Sequence, residues 1–211
     1  MLTVWTMSTG GKYDDYYPQR LRREVKKHLS LRHRFICIAD HEIDRVATMS
    51  PPTDYPGWWG KVGLFKPGVP SPINLWLDLD VVITGPLDDL VNIYGQCDLA
   101  MPINWAQSGH GGCQSSVMLW RQSKHTLPIY KQFKAKWAHW PPINQPGVLW
   151  GDQEWITRLR DEGLLNVTPI CERWVKSYKY HCRGGLPDDC RVVVFHGKPD
   201  PDEVSEPWFR W

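Results

Sequence analysis

An apolar stretch over residues 73–84 constrains the fold of this chain more than any other feature. It reads Ile-Asn-Leu-Trp-Leu-Asp-Leu-Asp-Val-Val-Ile-Thr and is followed by Gly85-Pro86. Its length and its branched apolar residues favour one buried central strand over a helix. Because side chains alternate between the two faces of a strand, Asp78 and Asp80 are predicted to lie side by side on the face that also carries Trp76.

The two carboxylates predict a cation site. Burying one unpaired carboxylate is costly, and two adjacent carboxylates repel each other, so the pair calls for a positive charge nearby. Oxygen ligands of this kind suit Mg²⁺ or Mn²⁺, which keep coordination positions open for the phosphate oxygens of a nucleotide. The alternative is structural: one aspartate caps the helix that follows Gly85-Pro86, and the other is solvated at the end of the strand.

The N-terminal segment alternates between strand and helix patterns. Residues 2–7 read as a strand that leads into a glycine-rich turn, residues 16–31 have helical spacing of apolar side chains, and residues 34–39 read as a second strand. The basic residues of the helix, Arg20 among them, are predicted to form a solvated face. A strand-helix-strand unit implies parallel pairing through a right-handed crossover, and therefore an α/β fold.

The rest of the chain extends this pattern. Further helices are predicted up to Phe65, after Gly85-Pro86, over residues 127–140 and from Gly151 onward; further strands are predicted at residues 99–103, 115–120 and 191–195. No Gly/Ser-rich or charged linker divides the chain. We therefore expect a single domain over residues 1–211, with a mixed and mainly parallel central sheet flanked by helices.

Composition narrows the possible partners and location. The net charge is +2, from 25 Lys and Arg against 23 Asp and Glu, so charge gives no support for nucleic-acid binding, which stays open. The six cysteines include no Cys-x-x-Cys pair, and the N-terminus lacks a basic flank followed by a long apolar region, which favours a cytoplasmic location. No apolar run approaches the roughly 20 residues of a transmembrane segment, so membrane contact is expected to be peripheral at most.

Thirteen tryptophans are unusual for a chain of this length. Flat indole faces can stack against sugar rings or bases, and several tryptophans lie among Pro and Gly residues that could form the walls of a cleft. These are Trp58, Trp59, Trp105, Trp137 and Trp140. The alternative is that most tryptophans are core residues, because Trp usually buries a large area.

Four segments together resemble a known family. Leu77–Val82 resembles the Asp-x-Asp strand of GT-A fold glycosyltransferases, especially the retaining, family 8-like group that contains glycogenin and bacterial lipopolysaccharide galactosyltransferases. Trp58–Phe65, Gly151–Glu154 and Val194–Pro199 resemble the segment before that strand, the Asp-Gln segment and the closing His-Gly-Lys-Pro segment of the family. The order and spacing of the four segments carry the resemblance, which covers residues 2–199.

The resemblance implies a single GT-A, Rossmann-like domain with metal-dependent glycosyltransferase activity. The donor would be a nucleotide-diphosphate sugar, in the first place a UDP-sugar, and the acceptor a carbohydrate or another hydroxyl compound. Asp78, Asp80 and His196 are the implied ligands of Mn²⁺ or Mg²⁺. Retention of configuration at the anomeric carbon is implied by the family alone.

Further residues receive roles by the same resemblance. Lys61 and Lys198 are implied to contact the phosphates of the donor. Asp152 and Gln153 are implied to border the reacting sugar, where an amide can hold hydroxyl groups or stabilise positive charge that develops at the anomeric carbon. For Asp152 the structural alternative is ordinary capping at the start of a helix.

Three more residues are candidates for binding the donor. Thr6 and Asp40 lie near the ends of the first two predicted strands, where nucleotides bind in α/β sheets. Gln114 takes the place of an Asn in a strand segment of the family, Gln114–Leu119, which is linked to the choice of donor sugar. For Asp40 a turn or helix-capping role is the alternative.

Two other functions are compatible with the sequence. The chain could be a tryptophan-rich carbohydrate-binding module, or a catalytically silent GT-A relative that holds a metal structurally. It could also be a glycosyltransferase whose acceptor is a modified DNA base, which would require DNA binding that weakens steeply with salt.

Overall fold

A computed structural model describes residues 1–105, 112–137, 139, 149 and 151–211. The strands of this part of the chain are β1 Leu2–Ser8, β2 His33–Ala39, β3 Ala47–Met49, β4 Ile73–Leu77, β5 Val81–Ile83, β6 Leu99–Met101, β7 Val117–Arg121, β8 Thr168–Pro169, β9 Val175–Ser177 and β10 Val192–Val194. The α-helices are α1 Tyr16–His28, α2 Asp88–Asn92, α3 Pro128–Trp137 and α4 Asp152–Asp161. A 3₁₀ helix, Gly57–Phe65, precedes β4.

The described strands form a large and a small sheet. The large sheet has seven strands in the order β3-β2-β1-β4-β7-β6-β8, and the small one has three in the order β5-β10-β9. In the large sheet β3, β2, β1 and β4 run parallel, β7 is antiparallel to both β4 and β6, and β8 is parallel to β6. The mixed, mainly parallel α/β fold predicted from the sequence is therefore confirmed.

Two apolar layers cover the large sheet. On one face, Leu75 and Leu77 of β4 pack with Leu21 and Val25 of α1, and this layer continues to the small sheet. On the other face, Trp76 packs with the 3₁₀ helix and with α3 and α4. The alternation predicted for residues 73–84 thus holds, because Leu75, Leu77, Leu79 and Val81 are buried in one layer while Trp76 is in the other.

The prediction of one continuous strand over residues 73–84 is wrong. The chain leaves the large sheet after Leu77, turns at Asp78–Asp80 and enters the small sheet as β5. The two halves are held by different partners: the amide of Asp78 donates to the Ser116 carbonyl at 2.9 Å, and the carbonyl of Asp80 accepts from the Phe195 amide at 3.2 Å. The Asp-x-Asp turn is therefore the junction between the sheets.

Arg20 is buried, contrary to the solvated face predicted for the basic residues of α1. It is 4% exposed, and its Nη2 donates to the carbonyls of Leu79 and Val81 at 2.9 and 2.8 Å, on either side of Asp80. Its Nη1 donates to Glu24 Oε1 at 2.8 Å, and Glu24 Oε2 accepts from the Ile83 amide at 3.0 Å. Together, Arg20 and Glu24 fix the turn and the start of β5 against α1.

We predict that Arg20→Met destabilises the protein by about 3–5 kcal/mol, because it leaves Glu24 buried without its cation and two carbonyls without a donor. Urea unfolding measures this change. The control is Arg22→Met, which replaces an exposed arginine of the same helix and should change the free energy of unfolding by less than about 0.5 kcal/mol. Equal effects of the two substitutions would contradict the role given to Arg20.

Candidate active site

A cleft opens where β1 and β4 end. Its volume is about 290 Å³. Its walls come from the end of β1, the loop after β1, the 3₁₀ helix and the Asp-x-Asp turn. The lining residues are Met7, Ser8, Thr9, Lys12, Tyr13, Gly57, Trp58, Lys61, Trp76, Asp78, Leu79 and Asp80. This is the edge of an α/β sheet at which ligands bind, outside the carboxyl ends of the parallel strands.

Asp78 is held in the cleft by neighbours on both sides. Its Oδ1 accepts from Trp76 Nε1 at 2.8 Å and lies 2.8 Å from Lys61 Nζ. The side chain keeps 22% of its surface exposed, so it still faces the cleft. The predicted sharing of one face by Trp76 and Asp78 thus becomes a direct hydrogen bond.

Asp80 is the more deeply buried of the two carboxylates, with 9% of its surface exposed. Its Oδ2 accepts a hydrogen bond from the Tyr13 hydroxyl at 3.0 Å. Burial, together with the charge of Asp78, raises the pKa of Asp80 to about 7. Lys12 and Lys61 lower that pKa but do not offset the effect of burial.

Lys61 lies between two carboxylates and is 7% exposed. Its Nζ is 2.8 Å from Asp78 Oδ1 and 3.6 Å from Asp152 Oδ2, and it contacts the carbonyl and hydroxyl oxygens of Ser115 at 3.4 and 3.3 Å. Burial opposes the charge on the ammonium, but Asp152 and Asp78 outweigh it and raise the pKa of Lys61 above its usual value. Lys61 is thus a built-in counter-ion whose donors all point at protein oxygens.

Asp152 joins the same charge cluster from the start of α4. It is 3% exposed, and burial raises its pKa although Lys61 opposes that rise. Gly151, just before it, packs against the cleft residue Trp58: a Cβ on Gly151 would lie 3.0 Å from Trp58 Nε1. Gln153 is half-buried in the first turn of α4, directly after Asp152. The structure therefore brings Asp152 close to the Asp-x-Asp turn through Lys61, while the predicted contact of Asp152 and Gln153 with the reacting sugar stays a prediction.

His196 follows β10 beside the turn, because Phe195 pairs with the Asp80 carbonyl. Its Nε2 lies 2.7 Å from Ser177 Oγ, and its ring stacks on Trp105 and on Tyr180. Burial lowers the pKa of His196, with a further contribution from the charge of Lys179. Among the residues described, no group of three His, Cys, Asp or Glu side chains is arranged to hold a metal, so a shared ligand set of His196 with Asp78 and Asp80 stays a prediction.

Two of the predicted donor contacts lie elsewhere. Thr6 is completely buried inside β1 and does not line the cleft. Lys198 is exposed and donates to Asp200 Oδ2 at 2.8 Å and Glu203 Oε1 at 2.7 Å, which raises the pKa of Lys198. It is not among the cleft residues either.

Gln114 supports the site from behind. Its amide bonds twice to Ser116, with Nε2 donating to Oγ at 2.7 Å and Oε1 accepting from the backbone amide at 2.8 Å. The Ser116 carbonyl in turn accepts from the Asp78 amide. Gln114 thus shapes the turn that holds Asp78, where the sequence predicted a direct contact with the donor.

Asp40 borders a second cavity of about 450 Å³ beside the cleft. This cavity lies at the ends of β1 and β2 and shares Met7, Thr9 and Gly57 with the cleft. Asp40 Oδ2 accepts from the Gly10 amide at 3.3 Å. Asp40 therefore organises the glycine turn, in line with the turn role left open for it.

The structure resembles solved structures of glycosyltransferases. Galactosyltransferase LgtC in complex with donor and acceptor sugar analogs has a TM-score of 0.67 at 14% identity, over 94% of this chain and 88% of that chain. An active-site mutant of LgtC has a TM-score of 0.67 at 13% identity, over 94% of this chain and 89% of that chain. The apo form of glycosyltransferase GlyE from Streptococcus pneumoniae TIGR4 has a TM-score of 0.66 at 14% identity, over 94% of this chain and 55% of that chain. No family model and no curated protein matches the sequence.

The chain has the GT-A fold. The resemblance drawn from four short segments is confirmed at the level of the fold, although the sequence identity is low. None of the helices in the described part of this GT-A fold has the length and apolar character needed to span a bilayer.

The tryptophans of the GT-A fold are mostly structural. Among those expected to line a cleft, Trp58 does so and is 53% exposed, whereas Trp59 is 1% exposed in the core. Trp105 and Trp137 are half-buried and stack on other rings. Trp140 lies outside the described residues.

Sequence reasoning missed Lys12 and Tyr13, which both line the cleft. They follow Gly10 and Gly11, whose φ angles of 72° and 68° belong to the left-handed region that favours glycine. The Gly-Gly pair was the available signal, since a tight turn after a first strand returns the next residues to the end of the sheet.

We predict a pH-dependent contribution of His41, which lies 2.8 Å from both Asp15 and Asp40. The hydrogen bonds to Asp15 and then Asp40 raise the pKa of His41, so its stabilising effect is complete below about 6.5, the unfolded value, and is lost as pH rises through the folded pKa. Urea unfolding should show His41→Gln less stable than the wild type at pH 5.5, with the difference fading by pH 9. The same difference should disappear in an Asp15→Asn, Asp40→Asn background, and its persistence there would contradict the assignment.

Proposed function

We propose that this protein is a metal-dependent glycosyltransferase that transfers a sugar from a nucleotide-diphosphate sugar, in the first place a UDP-sugar, to a hydroxyl acceptor. One observation carries the proposal. In a GT-A fold, Asp78 of the Asp-x-Asp turn and Asp152 at the start of α4 both lie beside Lys61, which lines the cleft. These two segments are more than 70 positions apart in the sequence, so only the fold brings them together.

The residues of the cleft fit a divalent cation. Asp78 and Asp80 present carboxylate oxygens, the donor type that Mn²⁺ and Mg²⁺ prefer. Burial and the charge of Asp78 raise the pKa of Asp80, so a bound cation would favour its ionised form. When bound, the cation would neutralise the charge that develops on the departing diphosphate.

The place of His196 in this ligand set stays a prediction. Its Nε2 is engaged by Ser177 Oγ, so the ring would have to bind the metal through Nδ1. Nδ1 coordination would keep the hydrogen bond to Ser177, which would orient the ring in the way that partners of metal-bound histidines usually do.

The protein side of the reaction follows from charge and position. Lys61 lies 2.8 Å from Asp78 Oδ1 and 3.6 Å from Asp152 Oδ2, so the polar wall of the cleft is positioned before a substrate arrives. Gln153 would place its neutral amide near the anomeric carbon. Since Asp152 is buried against Lys61, we infer transfer without a covalent sugar-enzyme bond: the acceptor oxygen bonds to the anomeric carbon on the face from which the phosphate oxygen leaves. The acceptor proton passes to that phosphate oxygen.

The second cavity offers room for the nucleoside. It adjoins the cleft at the ends of β1 and β2, with the proline-rich loop of residues 51–56 as its outer wall. A nucleotide across both cavities would have its base beside Ile38 and Asp40 and its phosphates beside Asp80. This arrangement agrees with the general position of nucleotides in open α/β sheets.

The transfer activity is tested by incubating the protein with a panel of nucleotide sugars and Mn²⁺ and measuring the nucleoside diphosphate released by slow transfer to water. We expect release with one donor class. In this assay Gln153→Ala should lower the rate more than the donor affinity, because a group beside the anomeric carbon acts most strongly when positive charge develops there. The control is Gln96→Ala, an exposed glutamine outside the cleft. A folded wild-type protein that is silent with every donor would favour the carbohydrate-binding or silent-relative alternative.

The metal ligands are tested by calorimetry of UDP with and without Mn²⁺. Asp78→Ala and Asp80→Ala should each weaken metal-dependent UDP binding by at least roughly 10- to 100-fold, the range seen when even outer partners of a metal site are removed. Uridine should bind almost normally. The control Asp89→Ala removes a carboxylate outside the cleft, 63% exposed and paired with Arg191. Full metal-dependent affinity in His196→Ala would remove the histidine from the ligand set, and full affinity in the Asp78 and Asp80 variants would overturn the site.

A further inference from the structure

The cleft contains few positive charges for a site that would bind a diphosphate. Of the described residues that line it, Lys12 and Lys61 are the basic ones. The three N–H donors of Lys61 face four oxygens, from Asp78, Asp152 and Ser115. Moving Lys61 to a ligand would leave Asp152 buried without its cation, which is strongly unfavourable.

Lys198, the other basic residue implied by sequence resemblance, is also paired with carboxylates of the protein. Asp200 and Glu203 both accept from its Nζ, at 2.8 and 2.7 Å. This pair of acids neutralises the ammonium at the surface, away from the cleft lining.

Lys12 is in a different position. Its Nζ donates to the Tyr13 hydroxyl at 2.6 Å and lies 4.4 Å from the centre of the Tyr13 ring. Both contacts are with the side chain of Tyr13, and the charge of Lys12 also acts on the nearby Asp80. Among the described residues, no carboxylate forms a direct ion pair with Lys12 as Asp78 does with Lys61 and Asp200 with Lys198, so its ammonium can move to an anion without breaking one.

The position of Lys12 is fixed relative to the Asp-x-Asp turn. The Tyr13 hydroxyl that accepts from Lys12 itself donates to Asp80 Oδ2 at 3.0 Å. A chain of two hydrogen bonds therefore links the ammonium to a carboxylate proposed to hold the cation. Phosphate oxygens on a cation at Asp80 would lie within reach of Lys12.

We propose that Lys12 is the residue that binds the diphosphate of the donor, in place of Lys61 and Lys198. The inference rests on the proposed function for the identity of the ligand, a metal-bound diphosphate ester. Lys12 releases the Tyr13 hydroxyl and donates to phosphate oxygens, while Tyr13 continues to donate to Asp80. Lys12 thus favours ligands that carry phosphate over uncharged nucleosides.

The test uses calorimetry with inorganic pyrophosphate, UDP, UMP and uridine, each in the presence of Mn²⁺. Lys12→Ala should weaken pyrophosphate and UDP binding by about 10- to 100-fold, the usual effect of losing a charge-assisted hydrogen bond, with uridine unchanged. Lys12→Arg should recover most of the affinity. Raising the salt concentration should reduce the difference between Lys12→Ala and the wild type.

Two control variants make the result specific. Tyr13→Phe removes the hydroxyl between Lys12 and Asp80 but leaves the positive charge of Lys12. It should therefore reduce diphosphate affinity less than Lys12→Ala does. An equal loss would mean that Lys12 acts only through Tyr13 and would overturn the proposal. Lys27→Ala removes an exposed lysine of α1 outside the cleft and should leave diphosphate binding unchanged. An equal loss in Lys27→Ala would show a general charge effect and would also overturn it.

The remaining outcomes separate this inference from the proposed function. Undiminished pyrophosphate and UDP binding by Lys12→Ala overturns the role of Lys12, while sugar release by the wild type would still support the transferase. Weakened diphosphate binding together with no release from any donor supports Lys12 and contradicts the transferase. No diphosphate binding by the wild type overturns both.

Discussion

The site depends on the way Lys61, with a contribution from Lys12, offsets the charge of three neighbouring carboxylates. Asp78, Asp80 and Asp152 are gathered beside Lys61, whose ammonium touches two of them. Burial and the charge of Asp78 raise the pKa of Asp80, and Lys12 and Lys61 offset only part of that rise. A divalent cation bound at this cluster, as proposed above, would stabilise the ionised carboxylates further.

Buried neighbouring residues hold this cluster in place through hydrogen bonds. Arg20 binds the carbonyls on both sides of Asp80, Ser116 holds the amide of Asp78, and Gln114 holds Ser116. All of these contacts are made by buried groups, which cannot exchange them for water without cost. A cluster of charges is therefore kept in one arrangement by neutral hydrogen bonds and by one buried guanidinium.

Sequence reasoning placed the Asp-x-Asp pair relative to its strand but did not predict the contacts that hold it. Alternation along residues 73–84 placed Asp78 on the face of Trp76, because that rule is local and depends only on an extended backbone. The break after Leu77 had no local signal, since apolar residues continue on both sides of it and the change of sheet is decided by Arg20 and Phe195. Arg20 was taken as solvated although it neighbours the apolar Leu21 on the buried side of α1. The resemblance predicts a phosphate contact for Lys61, whereas the structure pairs it with Asp78 and Asp152; Asp152 is distant in the sequence, so only the fold reveals that pair.

The Asp-x-Asp turn connects the two sheets, so it also transmits forces between them. Asp78 is fastened to the large sheet through Ser116, and Asp80 is fastened to the small sheet through Phe195. A ligand that holds both carboxylates would therefore also link the two sheets. Coupling of this kind is reciprocal: if binding stabilises the pairing of β5 with β10, a change that weakens this pairing also weakens binding, even when it touches no residue of the cleft.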